Sequence, residues 1–101
     1  MSIVLVGGHE RMHDEYKTIG SKHGCKIKVF TRLPARFEKT IGQPDAIVLF
    51  TSTVSHKMVH TAVKEAKRKN IPLIRCHTSS GNSLEETLKQ ISDKLIRRYK
   101  G

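Results

Sequence analysis

Along the chain, short apolar runs alternate with longer stretches in which apolar positions recur every three or four residues, a pattern that predicts strands and helices in turn. Residues 2–6 (SIVLV) are apolar and β-branched up to Gly7-Gly8, the pattern of a strand buried on both faces that ends in a tight turn. From about residue 10 to residue 23, Met12, Tyr16 and Ile19 fall on one stripe, and Gly24 stands where a left-handed helix stop belongs. Residues 26–31 (KIKVFT) alternate lysine with Ile27 and Val29, as an edge strand with one wet face does. Pro34 can open a short helix over 34–41 with Phe37 and Ile41 inward. Residues 46–51 (AIVLFT) form the most apolar run and the expected central strand. Ser55 is placed to cap a helix reaching about residue 70, with Met58, Val59, Ala62, Val63 and Ala66 inside and Lys57, Lys64, Lys67, Arg68 and Lys69 outside. Residues 72–76 (PLIRC) give a fourth strand. Ser83 with Glu86 then forms a capping box for a last helix striped by Leu84, Leu88, Ile91 and Leu95.

Four strands alternating with four helices predict one α/β domain over residues 1–101: a small three-layer sandwich, with a four-stranded parallel sheet in the order 2-1-3-4 and helices on both faces. In that order the winding reverses between the first and third strands, so a ligand crevice is expected at their C-terminal ends. Gly7, Gly8 and His9 border one side, and Thr51, Ser52, Thr53, Ser55 and His56 the other. His77, Thr78, Ser79 and Ser80 join from the fourth strand.

Composition narrows the class. The 101 residues suffice for one core. No apolar run approaches the roughly 20 residues of a membrane span, and the first strand lacks a basic leader, so the expectation is a soluble, cytoplasmic protein. Cys25 and Cys76, far apart, read as free thiols in a reducing compartment. The net charge of +10 is uneven: residues 1–50 hold 8 basic and 5 acidic groups, residues 51–101 hold 11 and 4. Such a field concentrates anions without choosing among them.

Five of the six histidines, His9, His13, His56, His60 and His77, follow predicted strands. His9 with His13 and His56 with His60 are four apart on helices, a spacing that stacks two imidazoles on one face and makes all four candidate metal ligands. The loop Cys76-His77-Thr78-Ser79-Ser80-Gly81-Asn82 has the strand-to-helix setting of a cysteine phosphatase loop, but Asn82 stands where the phosphate-clamping arginine would be, so catalysis is not expected. Capture of an anion or nucleotide by Gly7, Gly8, Thr51, Ser52, Ser79, Ser80 and Gly81 needs no such arginine. Met12 occupies the third glycine position of the dinucleotide fingerprint, which weakens that particular ligand. Lys64, Lys67, Arg68 and Lys69 at one helix end, with Lys94, Arg97, Arg98 and Lys100 on the last helix, raise nonspecific nucleic-acid binding as a further alternative, although aromatic stacking platforms are few.

Taken together, VGG (6–8), DAIVLFT (45–51), VSHKMVHTAVKEAKRKNIPLI (54–74) and HTSSGNS (77–83) resemble the bacterial family catalogued as domain of unknown function 2325, over most of the chain outside residues 26–42. The resemblance implies a Rossmann-like domain that often self-associates, here a homodimer, without an established enzymatic activity. It also implies haem binding, which makes haem the leading ligand expected here, with anion or nucleotide capture and nucleic-acid binding as the alternatives. The matching positions are Gly7, Gly8, Ser55, His56, Ser79 and Ser80. His56 is then the first choice as haem ligand, with His9 and His77 behind it, Met58, Val54 and Tyr16 as apolar walls, and Arg11 or Arg75 for the propionates. The chain departs from the family's pattern at Ala66, where a cysteine is common, and at FTRLP (30–34), where histidine and glycine are common.

Overall fold

Alternate residues of each strand serve opposite faces of the sheet, and two separate cores result. The computed structural model describes residues 1–32 and 34–100, with side-chain surroundings through residue 91. Strands β1 (Ser2–Val6), β2 (Lys26–Phe30), β3 (Ala46–Phe50) and β4 (Leu73–Cys76) make one parallel sheet in the order β2-β1-β3-β4. On one face, Ile3, Leu5, Val48 and Phe50 pack against Tyr16 and Ile19 of helix α1 (His13–Lys22) and Leu84, Leu88 and Ile91 of helix α4 (Gly81–Lys100). On the other, Val4, Val6, Ile47 and Leu49 pack against Phe37 of helix α2 (Phe37–Thr40), Ile41, and Met58, Ala62 and Ala66 of helix α3 (His56–Lys69). Each such fully buried aliphatic or aromatic side chain contributes about 1.5–3 kcal/mol relative to exposure, so the sandwich is fixed by both faces at once.

The chain departs from its hydrophobic pattern where local backbone chemistry wins. The turn after β1 enters α1 through a 3₁₀ turn at Glu10–Met12, so the regular helix starts three residues later than the stripe suggests. Instead of a helix over 34–41, one turn forms at Phe37–Thr40, because Arg36 before it is left-handed (φ 58°) and cannot continue a helix. Gly24, at φ 69°, ends α1 as expected. Ser55 caps α3, its Oγ accepting the Met58 N–H at 3.2 Å, and Asn70 closes it in the left-handed conformation. The helix α4 does not begin at Ser83. Its cap is Ser80, whose Oγ accepts the Ser83 N–H at 3.2 Å, and Gly81 is the first helical residue.

Lys69 also departs from the outer basic face assigned to it. Its Nζ donates to Glu38 O at 2.6 Å and Gly42 O at 2.9 Å, fastening the end of α3 to the α2 segment. The carbonyls left free around a one-turn helix give the amine partners that solvent would otherwise supply. Glu65, on the same helix, is buried and held by Arg68 through Nε and Nη2 contacts of 2.9–3.1 Å.

Candidate functional site

At the C-terminal ends of β1 and β3, the winding reversal leaves a shallow depression of about 370 Å3 lined by His9, Arg11, Met12, Ser52, Thr53, Thr78, Ser79 and Ser80. Its floor is a closed hydrogen-bond network. The Gly8 N–H donates to Thr53 Oγ1 at 2.8 Å, Ser79 Oγ donates to the same oxygen at 3.1 Å, and Thr53 Oγ1 donates to Phe50 O at 3.3 Å. That hydroxyl thereby uses its one proton and both lone pairs. Ser52 Oγ lies 3.5 Å from Ser79 Oγ, and the Ser52 N–H donates to His77 O at 3.3 Å.

Tyr16 supports this floor from below. Its ring is buried beside Phe50, with centroids 5.5 Å apart, and its hydroxyl donates to Ser79 O at 2.7 Å while accepting the His9 N–H at 3.5 Å. One phenol thus joins the turn after β1 to the loop after β4. Burial pushes the Tyr16 hydroxyl above the usual phenol range, against the opposing pull of the His9 hydrogen bond, with Glu15 adding to the rise and Arg11 countering it. It is a neutral donor at pH 7. The turn can sit so close only because residue 8 is glycine: at φ 88°, a Cβ there would lie 2.7 Å from Tyr16 Cε2 and 2.9 Å from its hydroxyl oxygen.

Above the floor stand two basic side chains, His9 and Arg11, both exposed. Arg11 takes part in none of the four ion pairs among the described residues, whereas Arg32 is engaged with Glu10 at 2.9 Å and His23 Nε2 meets Glu85 at 3.2 Å between α1 and α4. A guanidinium and an imidazole over a hydroxyl floor can receive a small anion. The loop hydroxyls beyond it are occupied with one another. Thr78 Oγ1 bonds Ser83 Oγ, and Ser80 Oγ donates to Ser83 Oγ at 2.9 Å.

The residues nominated from sequence fall in several places. His9, Ser52, Ser79 and Ser80 share the depression, with Gly7 and Gly8 forming its turn and Thr51 half-buried in a 3₁₀ turn beside it. His77 lines a different hollow of about 430 Å3 against α4, with Arg75, Cys76 and Asn82. His56 and His60 are exposed on α3, Ser55 caps that helix, and none of the three lines either hollow. His13 begins α1, its Nδ1 3.4 Å from Asp14. Among the described residues no three His, Cys, Asp or Glu side chains gather around one point, so His9, His13, His56 and His60 offer at most pairs of donors.

A haem on a single copy fits these residues poorly: Met58 and Tyr16 are buried in the two cores, which leaves half-buried Val54 alone of the three to wall a porphyrin beside His56. The basic side chains Lys94, Arg97, Arg98 and Lys100 lie outside the residues whose side chains are described. The Tyr16 hydroxyl was not foreseen as part of the site. Its signal was a phenol on a core stripe, which needs a polar partner when buried.

Comparison with known proteins agrees with the architecture. A family model described as "Uncharacterized protein conserved in bacteria (DUF2325)" matches residues 2–91. No curated protein matches. A de novo designed Rossmann fold protein superposes with a TM-score of 0.61 at 18% identity, over 90% of this chain and 96% of the designed one. At that identity the likeness concerns the fold alone. No helix among the described residues is long and apolar enough to cross a membrane.

Proposed function

We propose that this chain, which belongs to the DUF2325 family, works as a non-catalytic binding module that takes a small phosphate- or carboxylate-bearing ligand at the crevice between β1 and β3. The observation that supports this reading is the pairing of Arg11 and His9 above a floor whose own polar groups are already satisfied. A preorganised floor leaves little to reorder on binding, and the cations supply the attraction. A soluble homodimer in the cytoplasm is consistent with the reading but not required by it.

Thermal denaturation with a panel of phosphate monoesters, nucleotides and small carboxylates tests the proposal. A ligand at about 100 times its Kd stabilises by about 2.7 kcal/mol. Arg11→Ser is expected to remove that gain while leaving the unliganded melting temperature within about 0.5 kcal/mol of the original, because Arg11 is exposed and outside both cores. A panel that shifts nothing defeats the reading. Hemin belongs in the same panel: a Soret band that sharpens on addition and is lost in His56→Ala would place the ligand on α3 and displace the anion proposal.

A further inference from the structure

On α3, His56, Lys57, His60, Lys64, Lys67 and Arg68 are all exposed, and the 3.6-residue turn gathers them into an arc of about 120°. His56, His60, Lys64 and Lys67 form a row running about 16 Å along the axis. The helix's one acid, Glu65, is buried outside that arc and neutralises Arg68, and Lys57, Lys64 and Lys67 take part in no ion pair among the described residues.

Helix stability alone does not account for this face. Cations in the last turn suit the helix dipole, but the first turn, where acids are favoured, carries His56 and Lys57 and no acid. Local preference is overridden there, as it commonly is at functional surfaces. A phosphate at that end would meet both the basic side chains and the helix N-terminus.

We propose that this face of α3 binds the phosphate backbone of duplex DNA without reading its sequence. A basic strip confined to one side of a rigid helix suits a regular rigid polyanion. Single strands are normally held by stacking on large aromatic rings, and α3 has no Phe, Tyr or Trp; insertion into a membrane surface uses exposed apolar side chains, and Met1 is the one large exposed apolar residue among those described. The inference is independent of the crevice.

Fluorescence anisotropy with a short mixed-sequence duplex tests it. Three lysine contacts give a log–log salt slope of about −2.7, so affinity falls about 40-fold from about 50 to 200 mM salt. Lys57→Glu/Lys64→Glu/Lys67→Glu should lose binding, and the milder Lys→Gln triple should flatten the slope, while Lys17→Glu/Lys22→Glu/Lys89→Glu, an equal charge change at exposed sites elsewhere, should retain most of it. Circular dichroism verifies that each variant is folded. Absence of duplex binding, equal loss in both glutamate triples, or binding confined to single-stranded RNA or phosphatidylserine vesicles would overturn the proposal.

Discussion

Replacing Gly8 by alanine isolates the close approach on which the crevice depends. Two costs add. The φ of 88° is strained for any residue with a Cβ, which costs about 1–3 kcal/mol. The new methyl would also lie 2.7 Å from Tyr16 Cε2, and Tyr16 is fully buried against Phe50, so its ring cannot swing aside; forcing such overpacking costs a further ~1–3 kcal/mol. The expected loss is about 4 kcal/mol, or on the order of 15–25 °C in Tm for a domain of this size. Gly24→Ala is the control. Its φ of 69° imposes the backbone cost, but no atom lies within 4 Å of its Cβ, so about 1–2 kcal/mol is expected. Urea denaturation followed by circular dichroism measures both, with an unchanged m-value showing that stability alone has moved. If Gly8→Ala costs no more than Gly24→Ala, Tyr16 is not clamped beneath the turn and the preorganised floor is refuted.

Tyr16→Phe keeps the ring and removes the hydroxyl, stranding Ser79 O, and is expected to cost about 1–2 kcal/mol. The folded hydroxyl titrates above its unfolded value of about 10, so its contribution is complete below that pH and drains away as the unfolded phenol ionises first; the phenylalanine variant should show a shallower alkaline decline in Tm, and an unaltered one would count against the buried phenol. With iodoacetamide, half-buried Cys76 should react in the native protein, whereas Cys25, buried and with its thiol pushed up by burial, should react only in denaturant; equal native rates by mass spectrometry would contradict the packing around Cys25.

Strand positions and sheet order were legible because β-branched runs between turn residues admit few alternatives, and the 2-1-3-4 order follows from parallel connections. Less legible was anything decided by a single side chain reaching across the fold. Lys69 continues the basic run of α3 in sequence, yet it turns to the carbonyls of Glu38 and Gly42, which no periodicity reveals. Ser83 and Glu86 satisfy the spacing of a capping box, but Ser80 stands nearer the true start and takes the role. The histidines show the same limit: following a strand places a residue at the rim, while the face on which the next helix packs decides which side of the sheet it serves, α1 and α4 on one and α3 on the other, so His56 parts from His9 and His77.

The sheet order also governs how the chain can assemble in time. β1 is made first but is central, and its partner β3 lies more than forty residues downstream, Ile3 pairing with Ala46 and Val6 with Leu49. The face bearing Ile3 and Leu5 then waits for Leu84, Leu88 and Ile91 of α4 before water is excluded. A nascent chain that has not yet released those residues holds an apolar sheet face covered only in part, by Tyr16 and Ile19 of α1, so the slow, nonlocal closure by α4 is the interval in which this protein is most exposed to aggregation.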